Sequence, residues 1–200
     1  MKMTPFNPKD TALVLIDHQI GTMQLIKNID VKHVEKMTLT LAKVAKIFNM
    51  PVVLTSSQEE RVQGPLIPEL QKILPEAYAK RIQRAGIVNA WNDPAFKKAV
   101  KDTGRKNLIM AGVTTDVCLI FPAIDAASEG FNVQAVMDAS GSPFELSEDL
   151  SRKRMENAGV VLTATNTLMA ELTQDWSTPQ GHQAVQLMFT EVLPAISSKK

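Results

Sequence analysis

The chain has 200 residues, 44% hydrophobic and 22% charged, a length and composition suited to one globular domain with a sizeable core. Its 22 Lys and Arg nearly cancel 21 Asp and Glu, for a formal net charge of +1, so no global field draws in nucleic acid or an anionic membrane. No apolar stretch is long enough to span a bilayer, and residues 1–10 carry Pro5, Asn7, Pro8 and two lysines rather than an apolar leader core, so the expectation is a cytosolic protein with a small-molecule partner.

The first element is a short apolar run, Ala12-Leu-Val-Leu-Ile-Asp17, which reads as a strand covered on both faces and ending in a carboxylate. Asp30 can cap a helix whose apolar positions Val31, Val34, Met37, Leu41, Val44 and Phe48 share one face, and Asn49 and Pro51 stop it. Pro51 to Thr55 predicts a second strand, residues 56–68 a long loop with a binding role, and Tyr78 to Gln83 a weaker strand. Asp93-Pro94 is an N-cap and first-position pair for a helix ending near Gly104. Asn107 to Val113 is the clearest strand; Val117 to Glu129 reads as the helix after it, and Asn132 to Met137 as the next strand. Ser147 is a candidate cap for a helix through Asn157, followed by a strand over Val160 to Thr163 and two C-terminal helices. Strand and helix alternate throughout, which predicts an α/β fold with a mainly parallel sheet and helices on both faces. The sequence shows no repeat, low-complexity segment or linker, so residues 1–200 are expected to form one domain.

In such sheets the ligand crevice lies beyond the carboxyl ends of the strands, where strand order reverses. Asp17 ends the first strand, and Cys118, the chain's one cysteine, enters the helix after the Asn107–Val113 strand. If those strands are neighbours, a carboxylate and a thiol face each other as base and nucleophile. A helix N-terminus favours thiolate and offers N–H groups to an oxyanion. The competing readings are a small buried hydrophobe for Cys118 and a turn-capping carboxylate for Asp17. A single cysteine excludes an internal disulfide and supplies too few thiolates for a structural zinc site.

The segment Gly112-Val-Thr-Thr-Asp-Val-Cys118, with the strand ending Leu15-Ile-Asp17, resembles the isochorismatase-like cysteine hydrolases, a group that includes nicotinamidases. Gly64-Pro-Leu-Ile-Pro-Glu-Leu70, Asn89-Ala-Trp91 and Asp138-Ala-Ser-Gly141 resemble its YcaC-like branch. The resemblance covers most of the chain. It implies a three-layer α/β/α sandwich around a six-stranded parallel sheet of order 3-2-1-4-5-6, and a triad of Asp, a basic residue and Cys. Asp17 and Cys118 match the outer members. The family's lysine position falls on Arg84, with Lys80 and Arg81 as alternatives; an arginine can orient a carboxylate and stabilise thiolate but does not share its proton. The resemblance further implies a cis peptide at Val113–Thr114, oxyanion donors from Thr114 and Cys118, and a large homo-oligomer such as an octamer.

Nicotinamidases of this group hold a metal through an Asp-x-His pair and a further His. The corresponding stretch here reads Thr55-Ser-Ser-Gln-Glu-Glu60, and His18, His33 and His182 lack ligand spacing, so no metal or other cofactor is expected. On a continued strand His18 points away from Asp17 as a packing or interface residue, whereas Gln19 shares its face and is a candidate pocket residue. Neither a G-x-G-x-x-G nor a Walker A motif occurs, and the ten methionines read as core filler.

These residues predict a hydrolase acting on a small amide-like carbon–nitrogen substrate through a thioester on Cys118, with Asp17 as base. The rival readings are a peroxide- or electrophile-reactive thiol protein, against which the lack of a resolving cysteine counts, and a non-catalytic scaffold on a borrowed fold.

Overall fold

The computed structural model describes residues 5–194. At its centre β1 (Thr11–Ile16) is buried along its whole length. It is flanked on one side by β2 (Val52–Ser57) and β3 (Ile82–Arg84), and on the other by β4 (Asn107–Gly112), β5 (Asn132–Val136) and β6 (Val161–Thr163). All pairs are parallel and the order is β3-β2-β1-β4-β5-β6, as the family resemblance implies. Ile16 lies opposite Thr55 on one side and Gly112 on the other, so the chain leaves the sheet beside its two neighbours at the point where strand order reverses.

Alternation along the strands divides the core in two. Leu13, Leu15, Leu54, Ile109 and Ala111 face α1 (Val31–Ile47) and α7 (Thr165–Thr173), against Val34, Met37, Leu41, Leu168 and Leu172. Ala12, Val14, Ile16, Leu108 and Met110 face α4 (Pro94–Asp102), α5 (Ile120–Ser128) and α6 (Glu145–Asn157), against Phe96, Val100, Ile120, Ala123 and Met155. Burying each of the larger side chains contributes about 1.5–3 kcal/mol. Asp30 caps α1 by accepting from His33 N at 2.8 Å, and Asp93 caps α4 by accepting from Ala95 N and Phe96 N at 2.9 and 3.0 Å. The C-terminal part adds α8 (Pro179–Leu187) and a π-helical turn over Met188–Val192.

Local boundaries differ from expectation for identifiable reasons. Two short helices, α2 (Pro68–Ile73) and α3 (Pro75–Ala79), each start with proline at the first helical position. They take Tyr78 out of the expected strand, which instead runs Ile82–Arg84 and ends on Arg84. The chain after β4 turns through a π-helical segment, Thr115–Leu119, before α5 begins at Ile120. Helix α6 starts ahead of Ser147, whose hydroxyl donates back to Phe144 O at 3.0 Å rather than capping.

Candidate active site

Asp17 is the first residue after β1, not its last. It sits at φ +58°, a left-handed conformation that aspartate tolerates better than most residues, and its N–H donates to Thr55 O at 2.9 Å. Arg84 ends β3, opposite Ser57 of β2. Its Nη2 donates to both carboxylate oxygens of Asp17, its Nη1 to Ile87 O, and its Nε to Thr55 Oγ1 at 3.1 Å. Both charged side chains are buried. The alternatives lie elsewhere: Lys80 is exposed at the end of α3, and Arg81 grips Glu59 through Nε and Nη2 at 2.7 and 2.8 Å. Arg84 is therefore the basic residue that meets Asp17.

Cys118 lies half-buried in the π-helical turn after β4, close enough to Asp17 for the two side chains to perturb each other's titration. Burial pushes the Asp17 carboxyl above its ordinary value, against the opposing charge and hydrogen bond of Arg84. The Cys118 thiol is pushed up strongly, first by burial and then by the charge of Asp17. This corrects the expectation of a preformed thiolate. Cys118 is the fourth residue of the turn rather than the first, and the desolvation and carboxylate beside it outweigh the helix-terminus field. The shift on Cys118 favours a protonated thiol, and on Asp17 the charge and hydrogen bond of Arg84 oppose burial and favour the carboxylate.

The Val113–Thr114 peptide is cis. Val113 N donates to Ile16 O at 3.0 Å and Thr115 N to Gly141 O at 2.9 Å, which ties this turn to the ends of β1 and to the loop after β5. Gly112 permits the close approach, since a Cβ there would lie 3.2 Å from the Cβ atoms of Ile16 and Leu119. Cys118 N–H donates to Thr114 O at 2.8 Å, so only as a shared donor does it reach an oxyanion; Thr114 N–H has no partner among the described residues.

Gln19 differs from expectation. The turn at Asp17 breaks strand alternation, and Gln19 is fully buried, its Nε2 donating to Ser57 O at 2.9 Å and to Gly64 O while its Oε1 accepts from Ser57 N at 2.9 Å. Its amide braces the loop after β2 from within the core. His18 is a packing residue: it is buried, its Nε2–H donates to Ala139 O at 2.9 Å, its Nδ1 has no partner among the described residues, and burial lowers its pKa to about 4. Among the described residues no three His, Cys, Asp or Glu side chains are arranged to hold a metal ion. The sequence reading missed Thr55, whose signal was the first hydroxyl after the apolar run Val52-Val-Leu54 of β2.

The family model described as the isochorismatase domain matches residues 11–167. Over 167 residues the chain is 42% identical to the protein named "Probable hydrolase YcaC" of Escherichia coli (strain K12), covering 84% of this chain and 79% of that protein. A crystal structure of the E. coli YcaC gene product, described as an octameric hydrolase of unknown specificity, superposes with a TM-score of 0.90 at 38% identity, covering 96% of this chain and 93% of that one. YcaC from Pseudomonas aeruginosa, solved with hexane-2,5-diol and covalent acrylamide, matches with a TM-score of 0.90 at 37% identity, covering 96% and 94%. With the family model spanning most of its length and a YcaC relative at this identity, the chain belongs to the isochorismatase domain family.

Proposed function

We propose that this protein is a cysteine hydrolase acting on small amide-like carbon–nitrogen substrates, with Cys118 as nucleophile, Asp17 as base and Arg84 holding the base in place. The observation that carries this reading is the buried Asp17–Arg84 pair beside a half-buried, protonated Cys118. As Sγ attacks the substrate carbonyl carbon, the Asp17 carboxylate accepts the thiol proton, and a carboxyl whose affinity for protons is raised by burial is a better acceptor than an ordinary one. The tetrahedral oxyanion takes the free Thr114 N–H as donor. Asp17 then returns the proton to the departing nitrogen, leaving a thioester on Cys118. Water attacks that thioester as Asp17 accepts one of its protons, the carboxylic acid leaves, and the proton returns to Sγ. Arg84 stays protonated throughout.

Relatives support this reading without naming a substrate: the E. coli YcaC structure is described as a hydrolase of unknown specificity, and P. aeruginosa YcaC carries covalent acrylamide. The octameric E. coli relative also supports a homo-oligomer here. The peroxide-sensor reading is less favoured, because sensor cysteines depend on thiolate character, whereas Cys118 is held protonated. Among the described residues no helix is long and apolar enough to cross a membrane.

The test is covalent labelling by acrylamide followed by intact mass, together with turnover of a panel of small amides. Cys118→Ala should lose both label and turnover with the fold kept, and Asp17→Asn should slow labelling by about 10²-fold or more. Turnover surviving Cys118→Ala would remove the nucleophile from this account.

A further inference from the structure

Thr55 touches both charged members of the site. Its carbonyl accepts the Asp17 N–H at 2.9 Å, and its hydroxyl accepts Arg84 Nε–H at 3.1 Å. That hydroxyl has one hydrogen, donated to Ile82 O at 2.8 Å, so toward Arg84 it presents only lone pairs. The residue is fully buried in β2, opposite Ile16 of β1 and Ile82 of β3. Three fixed acceptors therefore surround the guanidinium: Thr55 Oγ1 at Nε, Ile87 O at Nη1 and the Asp17 carboxylate at Nη2. A planar fork held at Nε and Nη1 cannot rotate about its stem, and its third corner, Nη2, determines where the carboxylate points.

We infer that Thr55 is a positioning residue of this site: its hydroxyl orients the Arg84 guanidinium, and through it aims the Asp17 carboxylate at Cys118. The inference rests on the cysteine-hydrolase reading and adds a residue to it. Thr55 acts through Arg84 and touches neither substrate nor thiol. The other titratable side chain on this turn, His18, points to Ala139 O and is neutral above about pH 4, so the response described next belongs to Asp17, Arg84 and Cys118.

The experiment measures the rate of Cys118 alkylation by acrylamide from pH 5 to 9 in the wild type, Thr55→Val, Thr55→Ser, Thr55→Ala and Asp17→Asn. Thr55→Val keeps the β-branched shape and removes the hydroxyl. A loosened Arg84 opposes the effect of burial on Asp17 less, so the carboxylate protonates at higher pH. Thr55→Val should lower the rate at pH 7 by about tenfold, the size of one hydrogen bond to a charged group, and move the acid limb toward neutral pH. Thr55→Ser should restore both to within about twofold. Thr55→Ala repeats the loss without a misplaced methyl and carries the test if the valine variant does not fold. A folded variant lacking the hydroxyl with wild-type rate and acid limb would overturn the inference, as would equal losses in Thr55→Val and Thr55→Ser, which would make the role one of packing. A rate that falls with Asp17→Asn but ignores Thr55→Val defeats only the role of Thr55; a rate indifferent to Asp17→Asn defeats the hydrolase reading itself.

Discussion

Arg84 donates through a single terminal nitrogen to both carboxylate oxygens of Asp17, and the two side chains are 1% and 2% exposed. Removing either partner leaves the other charge buried without compensation, a loss of about 3–5 kcal/mol for pairs of this kind. Arg84→Gln is expected to lower stability by that amount in urea denaturation and to slow Cys118 labelling. Arg84→Lys should recover part of the stability but not the rate, because an ammonium cannot meet Thr55, Ile87 and Asp17 at once.

The thiol's titration gives a second prediction. Because burial and the Asp17 charge both raise Cys118, labelling by a neutral electrophile should keep rising through pH 9 without a thiolate plateau at lower pH. At the acid end it should fall as Asp17 takes up a proton, at a pH above the usual carboxylate range. A plateau beginning near pH 6 would show a preformed thiolate.

His18 predicts a pH-dependent stability that does not involve the reaction. Its folded-state pKa is lowered from 6.5 to about 4, so between those values the unfolded chain binds the proton and the folded chain does not. Stability is therefore complete above about pH 6.5 and falls as pH drops toward 4. At about 1.4 kcal/mol per unit the loss is roughly 3 kcal/mol. Denaturation midpoints of wild type and His18→Gln, compared at pH 7.5 and 5, check this, and the variant should show the smaller fall.

Gly21 marks where the loop after β1 meets the loop after β2: a Cβ at this position would lie 1.9 Å from Val62 O, a backbone atom that cannot rotate away. Gly21→Ala should cost about 1–3 kcal/mol, the usual range for overpacking, read as a lower thermal midpoint. It should also slow labelling, since the displaced loop is the one Gln19 anchors to Ser57 and Gly64.

The strands and their parallel pairing were legible because β1, β2, β4 and β5 are short, dense apolar runs, and parallel strands need crossovers that the capped helices at Asp30 and Asp93 supply; their order came from the family resemblance. Asp17 and Cys118 could be placed at one crevice on the condition that the first and fourth strands are neighbours, which the resemblance implied. Arg84 could be chosen among three nearby cations only through the family resemblance, since the weak segment containing it has no clear period until Pro75 ends the ambiguity by starting α3. Gln19 was misread because strand alternation was extended past Asp17, where the chain turns into a left-handed conformation. The titration of Cys118 was not legible at all: it depends on burial and on a carboxylate 101 positions away in sequence, neither of which local pattern reveals.

The most direct test of the central claim is the rate of Cys118 modification by acrylamide at pH 7.5, compared between wild type and Asp17→Asn, with folding checked by circular dichroism. The account predicts a folded variant in which labelling is slower by about 10²-fold or more, because the base that takes the thiol proton is gone. Equal rates would contradict it, since Cys118 would then react without its buried carboxylate.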